Sequence, residues 1–326
     1  MRNLDQANET IASEVEPKDR AGMKWIAGRR FKMGSDSHYP EEAPMRSIEV
    51  DGFWMDETPT TNRQFAAFVA ETGYVTLAEE MADATDYPGA PPEMLQPASL
   101  VFVKPGGPVD LSNIHNWWNY IFGADWRHPY GPDSTLHGLD DHPVVHIAYQ
   151  DAAAYAQWAG KTLPTEAEWE MAAQGGLDDA EFAWGDMLTP NGRHMANIWQ
   201  GQFPHQNLAE DGFERTSPVG TFPTNGYGLS DMIGNVWEWT TDWFSEPGST
   251  SATTKQCCVP KNPRGGAEDM SYDPSQPGIR IPRKVLKGGS HLCAFNYCRR
   301  YRPAARHAQP IDSSTSHIGF RCITRP

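Results

Sequence analysis

Two cysteines near the C-terminal end of the chain have a residue type and spacing that could do chemistry. Cys293 and Cys298 flank the segment Ala-Phe-Asn-Tyr and follow Gly288-Gly289-Ser290. An offset of five places two side chains neither on one helical face nor on one side of a strand, so the sulfurs meet only if the backbone turns between them. Two thiolates without a histidine partner are the ligands that Cu(I) prefers. On spacing alone, two buried small hydrophobic residues or a disulfide are the more common explanation, and C-x4-C is a weaker zinc pattern than paired C-x2-C.

The charge around these cysteines differs from that of the whole chain. The 326 residues include 27 Lys and Arg against 42 Asp and Glu, a formal net charge of −15, which disfavours a nucleic-acid partner. The segment from Lys287 to Arg321 is instead basic. A local positive field would lower the pKa of the thiols, unless these arginines pair with acidic residues elsewhere in the fold.

The elements that must position the cysteines are short. A helix capped by Thr60 or Thr61 and ended by Gly73 is predicted from the spacing of its apolar residues. A second helix is predicted from Asp151 to Ala159, and a third begins at Thr165, which has capping-box spacing to Glu168. Residues 80–143 are dense in Pro, Gly and Trp and predict long ordered loops. Few long helices and no βαβ rhythm favour one α+β domain.

The ends of the chain and the remaining cysteines complete the organisation. Residues 1–20 are expected to form a polar tail without the apolar run of a secretory signal, and residues 21–326 a single domain. No stretch approaches about 18 consecutive apolar residues, so no membrane span is expected, and a cytoplasmic location follows as a prediction. Cys257 and Cys258 are adjacent, and no function is assigned to them.

Several segments between Met23 and Cys322 together resemble the formylglycine-generating enzymes, also called the sulfatase-modifying factor family. The matching segments are FKMGS at Phe31, HPVVHIAYQDAAAYAQWAGKTLPTEAEWEMAA from His142, ANIWQGQFP from Ala196, GYGLSDMIGNVWEW from Gly226 and KGGSHLCAFNYCRRYR from Lys287. The first four are typical of the wider family, whose members differ in function, whereas the last, with both cysteines, is typical of the catalytic members. The resemblance implies a C-type-lectin-like α+β fold with little regular secondary structure and long ordered loops.

The resemblance also implies a site and a reaction. Cys293 and Cys298 match the two cysteines that bind Cu(I) in the family, and Ser290 and Tyr297 match hydrogen-bonding residues beside them. The implied substrate is a cysteine within a C-x-P-x-R segment of an unfolded or nascent sulfatase, oxidised by O2 to Cα-formylglycine. A third thiolate from the substrate would join the copper, hydrogen abstraction from its β-carbon would give a thioaldehyde, and hydrolysis would release sulfide.

Two structural calcium sites are implied in the same way, with side-chain oxygens and main-chain carbonyls as ligands. One set consists of Asn197, Ile198, Asp211 and Phe213, and the other of Asp231, Gly234, Val236 and Glu238.

The chain departs from secreted animal members of the family at their disulfides. Cys322 matches a disulfide-bonded cysteine, but Ala173 occupies its partner's position, and Pro303 replaces another such cysteine. Both bridges are therefore expected to be absent, as in a cytosolic bacterial protein.

Two other functions are compatible with the resemblance. One is a non-haem iron sulfoxide synthase, although those enzymes carry an additional N-terminal helical domain with iron-binding histidines. The other is a non-catalytic C-type-lectin-like binding module, which would have no need for the paired cysteines. His142 and His146 have H-x3-H spacing, but Pro143 disfavours a helix there, so a structural role is expected. Trp237, Trp239 and Trp243 are expected to belong to the core.

Overall fold

The computed structural model describes residues 20–246 and 259–326. Cys257, Cys258 and all but the last residue of the predicted tail lie outside these ranges. Within them no helix is both long and apolar enough to cross a membrane.

The described residues form three α-helices and eleven short β-strands. The helices are α1 (Asn62–Thr72), α2 (Tyr149–Trp158) and α3 (Glu166–Ala173). The strands are β1 (Met23–Ile26), β2 (Arg29–Met33), β3 (Arg46–Val50), β4 (Phe53–Asp56), β5 (Ala98–Phe102), β6 (Trp118–Phe122), β7 (Trp237–Trp243), β8 (Arg283–Lys287), β9 (Arg306–Pro310), β10 (Ile318–Gly319) and β11 (Ile323–Thr324).

The helix ends follow local hydrogen bonding. Thr61 caps α1 through a reciprocal pair of hydrogen bonds with Gln64, and Gly73 ends it in the left-handed conformation. The predicted capping box at the start of α3 is confirmed. Helix α2 begins two residues earlier than predicted because Asp151 occupies its third helical position and accepts a hydrogen bond from the Ala148 backbone N–H.

The strands form two larger sheets and two hairpin-like pairs. Strand order is β10-β7-β8-β9 in one sheet and β1-β4-β11 in the other, while β2 pairs with β3. Only the β10–β7 pair is parallel among the strand pairs of the described residues. Strand β8 runs beside β7 and leads directly into the glycines before the cysteine segment, so the larger sheet positions that segment.

The prediction of loops throughout residues 80–143 is wrong at one place. Strands β5 and β6 form an antiparallel pair in which Ala98 faces Phe122 and Phe102 faces Trp118. Fifteen residues rich in Gly and Pro separate the two strands, so no tight-turn pattern marks the pair in the sequence. The rest of this region consists mainly of turns and short 3-10 segments.

The core has a large and a small part. The large part joins α1, α2, α3 and the two larger sheets, and includes Trp169, Trp237 and Trp239. The small part includes two residues of the cysteine segment, Leu292 and Ala294, which pack with Trp117, Trp199 and Phe203. Short helices and small mixed sheets joined by long ordered segments confirm the predicted α+β class with low regular secondary structure.

Candidate active site

The cysteine segment is held at both ends. Strand β8 ends at Lys287, and Gly289 then adopts φ +71°, a left-handed conformation that glycine reaches without strain. A Cβ atom at Gly289 would lie 2.8 Å from the carbonyl oxygen of Arg300, on the other side of the cysteine segment. We call residues 289–300 the cysteine loop. Its two ends, Gly289 and Arg300, are therefore in direct backbone contact.

Two turns inside the cysteine loop bring the sulfurs together. The backbone N–H of Cys293 donates to the carbonyl of Ser290 at 2.9 Å, and that of Tyr297 donates to Ala294 at 3.2 Å. The Sγ atoms of Cys293 and Cys298 are 3.4 Å apart, and both thiols are free. Cys293 is buried, whereas Cys298 is partly exposed. The backbone thus makes the turn that convergence of the sulfurs requires.

The two thiols differ in their electrostatics. Burial raises the pKa of Cys293 well above its ordinary value, and its hydrogen bond to Cys298 adds to that effect. The same hydrogen bond lowers the pKa of Cys298, and the positive charge of Arg300 lowers it further. Cys298 is therefore the more acidic thiol of the pair, and Cys293 the less acidic one.

Ser290 and Tyr297 lie beside the sulfurs but contact them differently. The backbone N–H of Ser290 lies 3.4 Å from Cys293 Sγ, while its hydroxyl accepts from the Leu292 backbone. The Tyr297 ring stacks on Phe203, with ring centroids 4.7 Å apart. Burial, and to a smaller extent the negative charge of Cys298, raises the pKa of Tyr297, so its hydroxyl keeps its proton and can donate it in a hydrogen bond.

The basic residues of this region are paired with acidic partners from other segments. These pairs are Lys287–Glu170, Arg299–Glu181, Arg300–Glu41, Arg302–Glu42, Arg306–Glu166 and Arg321–Glu238. Among the described residues only Arg300 also makes a hydrogen bond to a cysteine sulfur, with its Nη1 atom 3.8 Å from Cys298 Sγ. The general basic field is thus neutralised, and a single guanidinium acts on the thiol pair.

The first proposed calcium set converges on a glutamine amide. The side-chain N–H of Gln200 donates both to the carbonyl of Ile198 and to Asp211 Oδ2. The other oxygen of Asp211 accepts from the Phe213 backbone at 3.0 Å. Asn197 is also buried here, and its amide donates to Arg215. Oxygens of Ile198 and Asp211 therefore face one point, as a hard cation requires.

The second proposed set contains a carboxylate oxygen with no partner. Asp231 is buried, its Oδ2 accepts from the Gly220 backbone at 2.8 Å, and its Oδ1 has no hydrogen-bond partner. The Glu238 carboxylate is already bound by Arg321 and by the Trp169 indole N–H, and its backbone lies in β7 between β8 and β10. Gly234 and Val236 would contribute main-chain carbonyls. The unsatisfied Asp231 oxygen fits a cation ligand.

Other sequence candidates have structural partners. The ring nitrogens of His146 contact Ser99 and Pro129, while His142 contacts Thr216. No cluster of three or more His, Cys, Asp or Glu side chains suited to a metal occurs in residues 20–246 and 259–326. Cys322 is buried with a free thiol, as its missing partner predicts.

Similarity to known proteins identifies the family of the chain. The model of the sulfatase-modifying factor enzyme 1-like domain matches residues 9–326. The chain belongs to this family. It is 50% identical over 301 residues to the formylglycine-generating enzyme of Mycobacterium tuberculosis, covering 92% of this chain and 97% of the relative. It is 44% identical to the corresponding enzyme of Thermomonospora curvata, with 94% of each chain covered.

A solved structure supports the fold of this formylglycine-generating-enzyme family. PvdO from Pseudomonas aeruginosa superimposes with a TM-score of 0.63, covering 95% of this chain and 96% of PvdO at 20% sequence identity. That level of identity shows the shared fold alone.

One group of site residues was missed by sequence reasoning. Glu41 and Tyr39 contact Arg300, but they lie about 260 positions away in the chain. Their only signal in the sequence is the short acidic run Pro-Glu-Glu at residues 40–42.

Proposed function

We propose that this protein oxidises a cysteine in a C-x-P-x-R segment of a sulfatase polypeptide to Cα-formylglycine, using Cu(I) and O2 and releasing sulfide. The observation that carries the proposal is the pair of free sulfurs, 3.4 Å apart, with one thiol partly exposed. A non-catalytic module of the same family would gain nothing from holding two thiols in this arrangement.

The donor set fits Cu(I) better than a harder ion. Cys293 and Cys298 offer two soft sulfurs, neither of which is hydrogen-bonded to a carboxylate or an imidazole of the described residues, and thiolates select Cu(I). When bound, Cu(I) would supply the redox chemistry that brings O2 to reaction beside the substrate's β-carbon. The more acidic thiol, Cys298, is on the exposed side, where an incoming substrate thiol arrives.

The surroundings keep the thiol pair rigid and dry on its inner side. Phe203 and Trp117 pack against the Tyr297 ring, and Cys293 accepts a backbone hydrogen bond from Ser290. On the outer side the Phe295 ring, between the two cysteines, is 79% exposed. A flexible peptide can reach this side, and the net charge of −15 favours the approach of its arginine.

The overall reaction balances with a thiol reductant as the electron source. One O2, two electrons and two protons convert the substrate CH2–SH group to CHO. Oxidation to the thioaldehyde reduces O2 to two molecules of water, and hydrolysis of the thioaldehyde consumes one of them and releases the sulfur as hydrogen sulfide.

The test is conversion of a synthetic C-x-P-x-R peptide by the copper-loaded protein in aerobic buffer that contains a thiol reductant, followed by mass spectrometry. Conversion is expected with the wild-type protein and with the matched variant Cys322→Ala, which removes a buried cysteine outside the site. Conversion should disappear in Cys298→Ala, since one remaining thiolate cannot hold Cu(I) in a defined geometry. A peptide that stays intact at full copper occupancy would show that the proposed activity is wrong.

We also propose that the two oxygen-rich sets bind structural Ca²⁺ and that the protein works in the cytoplasm. The partnerless Asp231 oxygen and the convergence of Ile198 and Asp211 oxygens support the first point. The free thiols of Cys293, Cys298 and Cys322 are consistent with a reducing compartment.

A further inference from the structure

Arg300 is fixed on three sides next to the thiol pair. Its Nη1 atom is 3.8 Å from Cys298 Sγ, and its Nε and Nη2 atoms are 3.1 and 2.5 Å from Glu41 Oε1. The guanidinium carbon lies 3.8 Å from the centroid of the Tyr39 ring, close enough for a cation–π contact. The contacts with Glu41 and Tyr39 restrict the rotamers of the Arg300 side chain and keep its guanidinium beside Cys298 Sγ.

The support for Arg300 is itself anchored. The main-chain carbonyl of Glu41 accepts from Arg306 at 3.2 Å, and Arg306 forms a two-pronged ion pair with Glu166 at the start of helix α3. The Tyr39 hydroxyl accepts from the Arg299 backbone N–H at 3.0 Å. The loop around residues 39–41 is thereby tied to the core and to the cysteine loop, and it sets the orientation of the guanidinium.

A neighbouring ion pair provides a comparison. Arg299 pairs with Glu181 at 2.6 Å and is also partly exposed, yet its side chain makes no hydrogen bond to a sulfur within the described residues. The Arg300–Glu41 pair has a similar N–O distance and partial burial. The two pairs differ in the contact with Cys298 and in the Tyr39 ring and second hydrogen bond that hold Arg300, so the Arg299–Glu181 pair serves as a control for an ion pair without a sulfur contact.

Charge gives the contact at Cys298 a consequence for copper. Two thiolates and one Cu(I) carry a net charge of −1, and a substrate thiolate makes it −2. The Arg300–Glu41 pair is neutral overall, but Nη1 of Arg300 faces Cys298 Sγ while Glu41 binds Nε and Nη2. The positive end of the pair is therefore nearer the sulfur and offsets part of this charge in a partly buried site. The contact with the planar guanidinium also favours the Cys298 rotamer in which its Sγ faces Cys293.

We propose that Arg300, held by Glu41 and Tyr39, is a positioning residue that orients Cys298 towards Cys293 and offsets the negative charge of the two-thiolate copper site. This inference rests on the proposed copper-dependent function. The contact between Arg300 and Cys298 would make metal affinity and turnover depend on residues 39–41, which lie in a distant segment of the chain.

The test measures Cu(I) affinity anaerobically, by competition with a chromogenic chelator. Arg300→Gln should bind Cu(I) about tenfold or more weakly than wild type, the usual effect of losing a contact around metal ligands. Arg300→Lys should recover part of the affinity because it keeps the charge but loses the fork-like contact with Glu41. Glu41→Gln keeps the Arg300 guanidinium but removes the carboxylate that holds it, so its Cu(I) affinity should lie between those of wild type and Arg300→Gln. Glu181→Gln should bind like wild type.

Thermal unfolding separates loss of copper affinity from loss of fold. If Arg300→Gln and Glu41→Gln keep the wild-type melting temperature and the wild-type Cu(I) affinity, the inference is wrong while the proposed function stands. If wild type and Cys298→Ala bind Cu(I) equally weakly, the proposed function fails, and the inference falls with it. A weaker copper complex in a variant that melts like wild type supports the positioning role, since a purely structural ion pair would leave affinity unchanged.

Discussion

Replacing Gly289 by alanine should push apart the two ends of the cysteine loop. Its φ of +71° costs an alanine about 1–2 kcal/mol. The new Cβ would lie 2.8 Å from Arg300 O and 3.1 Å from Tyr301 Cα, which are backbone atoms that cannot rotate away. Overpacking of this kind costs roughly 1–3 kcal/mol. The lower entropy of the unfolded alanine variant returns about 0.4–1 kcal/mol, so the expected net loss is about 3 kcal/mol, between extremes of about 1 and about 4.6 kcal/mol.

Gly73→Ala is the matched control for this substitution. Gly73 has φ +68°, and nothing lies within 4 Å of the position that an alanine Cβ would occupy there, so only the backbone strain remains. Its expected loss is about 1 kcal/mol by the same arithmetic. Urea unfolding followed by the fluorescence of the tryptophans gives both free energies of unfolding. If the two variants lose equal stability, the close contact between the ends of the cysteine loop does not exist, and the reasoning is refuted.

Three further predictions concern charge, thiol reactivity and calcium. Glu170→Gln removes the negative charge 2.8 Å from the buried Lys287 Nζ and leaves Glu166, at 3.8 Å, as its ion-pair partner, so it should cost about 3 kcal/mol in urea unfolding. Glu49→Gln in an exposed pair should cost under about 1 kcal/mol, and equal costs would contradict the buried pair. The lowered pKa of Cys298 means that its thiolate persists as the pH falls below the ordinary thiol value of 9.0. Alkylation of Cys298 in the metal-free protein, measured by peptide mapping, should therefore stay fast at neutral pH and slow only on further acidification. A midpoint near 9.0 would contradict the assignment. Added CaCl2 should raise the melting temperature above that in EDTA, and Asp231→Asn should reduce the increase; an identical melting temperature in both buffers would remove the calcium assignment.

The features that could be predicted from the sequence depend on near neighbours in the chain. Thr61 with Gln64, and Thr165 with Glu168, satisfy helix-end N–H groups across three residues, so their residue types identify the start of each helix. The offset between Cys293 and Cys298 required a turn if the sulfurs were to converge, because neither a helical face nor one side of a strand brings such residues together.

The features that could not be predicted join distant parts of the chain. Glu41 and Arg300 are 259 positions apart, and nothing local to either residue indicates the other. The difference between the thiols likewise depends on burial of Cys293 and on the position of one guanidinium. The expectation of a broadly basic field was too general, because the tertiary fold supplies an acidic partner to each cation from Lys287 to Arg321.

The most direct test of the central claim is to quantify aldehyde and sulfide together from one peptide. The protein is loaded anaerobically with Cu(I), mixed with a C-x-P-x-R peptide and a thiol reductant, and then exposed to O2. Our account predicts equal amounts of formylglycine peptide and sulfide from wild type, and neither product from Cys293→Ala or Cys298→Ala. Unchanged peptide, or peptide disulfide without sulfide release, at full copper occupancy of the wild-type protein would contradict it.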